Sequence, residues 1–128
     1  MNPLTVEWVA KAEGDRATAE RELRATTDLN LDAVCFHSQQ CAEKYFKARL
    51  QEARIYVPKT HDLTALLDLL LPIEPTWKRL RPELQRLTTL AVVYKYPGIF
   101  ANKRTAREAL ALCKRVRLVC RKSLGLPR

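Results

Sequence analysis

A chain of 128 residues holds enough apolar material for one hydrophobic core and rarely for two, so a single domain over residues 1–128 is expected. With 47% hydrophobic residues, only 3 glycines and many Ala, Leu, Arg, Lys and Glu, the default conformation is helix, where these side chains lose little rotamer freedom. Lys and Arg number 23 against 14 acids, a net charge of +9; such an excess attracts phosphate-bearing partners, although it also serves simple solubility.

The apolar periodicity predicts a first helix from Thr5 to about Ala25, with Trp8, Ala12, Ala19 and Leu23 on one stripe. Gly14 weakens it by about 1 kcal/mol relative to Ala without ending it. Thr26 to Asn30 supplies a loop rich in capping residues. A second helix follows from about Leu31 to Ala53, whose stripe of Cys35, Ala42, Phe46 and Ala53 is widened by Val34, Cys41 and Tyr45. Two-sided apolarity predicts burial against more than one neighbour. Gln39, Gln40, Glu43, Lys44 and Lys47 form its polar face, expected by default to be solvated or, in a dimer, to serve nucleotide or partner contacts beside a cleft, with Glu43 and Lys47 a helical i,i+4 pair.

Pro58 breaks the pattern and extends Val57. Thr60 is the expected N-cap of a third helix from about His61 to Leu71, with Leu63, Leu66, Leu67 and Leu70 inward. Pro72 and Pro75 end it. After a short basic turn around Trp77, Pro82 suits the first turn of a fourth helix carrying Leu84, Leu87, Ala91 and Tyr94, closed by Tyr96-Pro97-Gly98. The last helix runs from about Thr105, through Ala106, Ala109, Leu110, Cys113, Val116 and Cys120, to a stop at Gly125 and Pro127. The expected fold is therefore all-α, an up-and-down bundle of four long helices and a short one.

No apolar run reaches the ~18 residues of a membrane span, and the first ten residues lack a basic signal-like region. A cytoplasmic location is expected. Cys35, Cys41, Cys113 and Cys120 lack paired zinc-site spacing and read as reduced core hydrophobes. His37 precedes Cys41 by one helical turn, but two ligands do not make a metal site, and no metal or cofactor is expected. No Rossmann or P-loop glycine pattern is present.

Three segments carry a resemblance: Ala33 to Ala48 (AVCFHSQQCAEKYFKA), Pro58 to Leu63 (PKTHDL), and Tyr94-Lys95-Tyr96-Pro97. In order and spacing, over Trp8 to Leu118, they resemble the HEPN family of higher eukaryotes and prokaryotes. The resemblance implies a homodimeric helical bundle that binds nucleotide or RNA, often works beside a minimal nucleotidyltransferase as a toxin–antitoxin-like pair, and in several branches cleaves RNA without metal. Family ribonucleases use an arginine and a histidine four to six residues apart near the start of the last long helix, and here no histidine follows His61. One displaced match remains, Arg54 and His61, the candidate catalytic pair.

Candidate nucleotide- or RNA-binding residues are Lys44 and Lys47 on the second helix, Tyr94, Lys95 and Tyr96 before the last loop, and Lys103, Arg104 and Arg107 entering the last helix. Aromatic rings beside cations suit base stacking and phosphate attraction. Close relatives of the third segment carry Arg where Lys95 stands, so charge is kept and bidentate geometry lost. Three readings stay open: a binding module, a metal-independent ribonuclease toxin, and a helical protein-interaction module.

Overall fold

A computed structural model describes all 128 residues and contains five α-helices, one 3₁₀ helix and no strand. The helices are α1 (Pro3–Arg24), α2 (Leu31–Glu52), α3 (Leu63–Leu70), α4 (Arg81–Val93) and α5 (Lys103–Ser123), with the 3₁₀ helix at Pro75–Leu80. None is long and apolar enough to cross a membrane.

Local chemistry sets most boundaries. Asn2 caps α1 through its side chain, which accepts from the Leu4 amide at 2.8 Å, so the helix starts ahead of Thr5 with Pro3 in its first turn. Asn30 caps α2 in the same way. The third helix is a correction: it begins at Leu63 rather than His61, and Asp62 rather than Thr60 is the cap. The Asp62 carboxylate accepts from both the Thr64 and Ala65 amides, while Thr60 Oγ1 accepts only from the Asp62 amide. An ionised carboxylate is the stronger acceptor and is also favoured by the positive end of the helix. The turn around Trp77 is itself helical, a 3₁₀ segment that buries Trp77 against Phe46 with ring centroids 5.9 Å apart.

The loop before α5 is pinned by the Ala101 amide, which donates to Asp32 at the start of α2, and by a reciprocal cap between Asn102 and Thr105. The α5 helix closes at Gly125, whose positive φ of 72° suits glycine. At the end of α2 that left-handed position falls on Arg54, with φ 59°. The Ile55 amide there still reaches back to the Leu50 carbonyl at 3.0 Å.

Helix α2 is the hub, packing against α1, α3, α4 and α5. The main core gathers 21 buried residues, among them Phe46, Leu50, Leu63, Leu66, Leu70, Trp77, Leu84 and Val116. All four cysteines are buried free thiols; burial pushes Cys35 up to about 11. Burial also raises Cys120 further, which keeps it protonated and inert.

Packed against four other helices, α2 buries part of the polar face expected to be solvated, while Gln40 and Lys44 stay half-buried at its edge. Glu43 and Lys47 are only 3% and 5% exposed, and Gln39 is buried beside them. These side chains are satisfied by one another rather than by water, as buried polar groups must be.

A second polar tie links three helices. Glu13 of α1 accepts from Arg117 of α5 through both carboxylate oxygens, at 2.7 and 3.0 Å, and from the Tyr45 hydroxyl of α2 at 2.5 Å. The Arg121 guanidinium donates in turn to that hydroxyl. Burial alone would raise the Glu13 carboxyl, but the bonds from Arg117 and Tyr45 and the charges of Arg117 and Arg16 outweigh it and hold it at about 2.

Candidate functional site

The three motif segments, far apart in the chain, converge on one depression of about 210 Å³. The second-helix segment contributes Phe36, Gln39 and Gln40, the segment before α3 contributes His61, and the end of α4 contributes Lys95 together with Thr88, Ala91 and Val92.

Its polar wall is built on Glu43. The carboxylate lies behind His61, whose Nδ1 is 3.1 and 3.2 Å from the two oxygens. A carboxylate only accepts, so Nδ1 carries the proton and donates. Lys47 Nζ donates to Glu43 at 3.0 Å while lying 5.6 Å from the centroid of the Trp8 ring. The Gln39 amide donates to Glu43 and to the His61 carbonyl, at 3.3 and 3.1 Å. Fixing Nδ1 in this way leaves Nε2 as the free nitrogen of a side chain that is 81% exposed. A histidine so held can accept a proton or a hydrogen bond from a ligand, or donate once charged.

The opposite wall is apolar and cationic. Lys95 Nζ lies 5.9 Å from the centroid of the Phe36 ring and has no carboxylate partner, so it is available to an anion. Phe36 is exposed, its ring edge-on to His37 at 5.1 Å.

The residues named from sequence separate into groups. His61 and Lys95 meet in the depression. Lys44 and Lys47 point into the protein's own ion pairs, Lys44 to Asp15 at 2.5 Å and Lys47 to Glu43. Tyr94 is half-buried against the core, whereas Tyr96 is exposed. Lys103, Arg104 and Arg107 are exposed on the first turns of α5, and none has a carboxylate within ion-pair distance. Arg54 lines a different hollow with Gln51, Ile55, Tyr56 and Val57, and is not among the residues that line the depression with His61. His37 donates to Asp15 at 2.7 Å, again through a carboxylate that must accept.

Sequence reasoning missed Glu43 as the anchor of His61, and Phe36, Thr88, Ala91 and Val92 as lining. The available signal was positional: Gln39, Glu43 and Lys47 stand one turn apart on a helix whose apolar residues already occupied both flanks. That placement is compatible with a wet face or a buried one, and the packing of α2 decides for burial.

The fold and this site define an all-helical bundle with a small cleft that offers a held histidine, a free cation and an exposed ring. The HEPN domain family matches residues 5–123, nearly the whole chain, and the protein belongs to that family. Membership makes it a nucleotide- or RNA-related module. No curated protein and no solved structure gives a significant match.

Proposed function

We propose that this protein is a nucleotide- or RNA-binding module that receives a phosphate-bearing ligand in the depression between α2, the α2–α3 loop and the end of α4. The observation that carries the reading is the convergence of the three family segments on Gln39, Gln40, His61 and Lys95 around one opening. Lys95 supplies charge for a phosphate, His61 a directed hydrogen bond, and Phe36 a face for a base. Lys103, Arg104 and Arg107 extend the positive field at the start of α5.

About 210 Å³ is less than the ~300–1,000 Å³ usual for an enclosed small-molecule pocket. A homodimer closing over the exposed Phe36 and Val92 would complete it, and a minimal nucleotidyltransferase is the partner that the family resemblance supports. The test is a titration with ATP followed by NMR on the purified protein. Shifts should concentrate on Gln40, His61 and Lys95, and Lys95→Ala should weaken binding at least tenfold; shifts scattered elsewhere would overturn the site.

One observation favours a second reading, a metal-independent ribonuclease. A buried carboxylate holding one nitrogen of an exposed histidine is the arrangement that orients a general base. In that reading His61 takes the ribose hydroxyl proton and Arg54 enters from the second copy across the dimer. Cleavage of labelled RNA in EDTA, lost in His61→Ala and in Arg54→Ala, would favour it over simple binding.

A further inference from the structure

The charge of the molecule is distributed unevenly. The α5 helix carries eight cations, Lys103, Arg104, Arg107, Lys114, Arg115, Arg117, Arg121 and Lys122, against the single carboxylate of Glu108. Seven of the nine net positive charges therefore sit on one helix.

They also sit on one side of it. At ~100° per residue, Lys103, Arg104, Arg107, Lys114, Arg115 and Lys122 fall within a wedge of about 120°, and all six are exposed. Only Ala111 and Leu118 among the exposed residues of that wedge are uncharged. Arg117 turns inward to Glu13, and Glu108 is covered by Arg86 through a two-pronged pair at 2.8 Å. Lys114 and Arg115 meet carboxylates at 3.0 and 2.8 Å, whereas Lys103, Arg104, Arg107 and Lys122 meet none. Four unpaired cations on one face repel one another and carry a net attraction for a polyanion.

The two ends of the stripe narrow the class of polyanion. Ahead of its start, Tyr96 and Phe100 are 63% and 79% exposed. At its far end, Lys122 shares a hollow of about 410 Å³ with Arg79 and Trp77. From Lys103 to Lys122 the helix is about 28 Å long, several times the reach of one mononucleotide. Cations in a row with unstacked rings beside them are what a single strand needs, because its backbone is tracked by charge and its bases stack on aromatic faces.

We propose that the outer face of α5 is a backbone track for single-stranded nucleic acid, entered at Tyr96 and Phe100 and left at Lys122. This deepens the nucleotide- or RNA-binding reading and rests on it: the ligand is a polymer, and the depression at His61 and Lys95 holds only one of its nucleotides. Recognition along the track is of phosphate, without sequence preference.

The experiment compares the full chain with the triple variant Lys114→Gln, Arg115→Gln, Lys122→Gln, and with a charge-retaining triple variant, Lys114→Arg, Arg115→Lys, Lys122→Arg. All three are titrated with a labelled 20-nucleotide oligouridylate and, separately, with oligodeoxythymidylate, across a salt series. The neutral triple variant should bind at least tenfold more weakly, because it loses the unpaired Lys122 and uncovers the carboxylates that Lys114 and Arg115 now neutralise, with the slope of log affinity against log salt reduced by at least ~0.7, one lost phosphate contact. The charge-retaining variant should match the parent. Both strands binding alike, or the RNA binding more tightly, each supports the track.

Equal affinity and slope in parent and neutral variant would overturn it, as would anionic phospholipid vesicles bound in preference to either strand. Titration of the neutral variant with ATP separates the two claims. Retained ATP shifts at His61 with lost strand binding isolate the track, whereas ATP shifts in the parent confined to residues away from His61 and Lys95, with strand binding still weakened in the neutral variant, would remove the depression and leave the track standing.

Discussion

At the scale of single residues, the decisive feature is a carboxylate with little water. Glu43 holds Lys47 and His61 together, and breaking a buried pair leaves its partner charged and unsolvated. Glu43→Ala should therefore cost about 3–5 kcal/mol, read as a lower urea midpoint with an unchanged m-value. A loss below about 0.5 kcal/mol would mean that the pair behaves as a surface contact. Arg54 gives the opposite expectation. It occupies the left-handed region at the end of α2, so Arg54→Gly should stabilise by about 1 kcal/mol in the same assay.

These residue-scale facts were partly hidden in the sequence. His61 and Lys95 were legible as chemistry-bearing residues because they stand in recognisable segments. Glu43 and Lys47 were not, because an i,i+4 pair of opposite charge reads the same on a wet face as on a buried one. Only the four-sided packing of α2 decides between them.

At the scale of elements, helix type and order followed from periodicity and from Pro and Gly positions, and the errors lay at the ends. Thr60 and Asp62 both have capping side chains, and the sequence does not say which one faces the open amides of α3. The structure makes the distinction testable: Asp62→Ala should cost about 1 kcal/mol, while Thr60→Ala should change stability by less than about 0.5 kcal/mol. Gly14 lies inside α1 with open space around its missing side chain. Gly14→Ala should raise stability by about 0.5–1 kcal/mol, and a decrease in melting temperature would contradict that account of α1.

At the scale of the whole molecule, polar ties join helices that also share one apolar core. Glu13 joins α1, α2 and α5, and its carboxyl is held at about 2 against an ordinary 4.5. A lowered folded-state value means that the stabilisation is complete above about 4.5 and lost as pH falls towards 2. Allowing for partial exposure, about 1–2 kcal/mol should disappear across that window. Arg117→Ala should flatten this part of the stability profile. The same scale shows what periodicity could not: the three motif segments line one opening, and the net charge collects on α5.

The most direct test of the central claim is ATP titration of the parent protein and of His61→Ala and Lys95→Ala, followed by backbone and imidazole NMR signals. The account predicts shifts at Gln40, His61 and Lys95 in the parent, with affinity reduced at least tenfold in both variants while the fold is retained. Unchanged affinity in both variants, or ATP shifts confined to residues away from this opening, would contradict it.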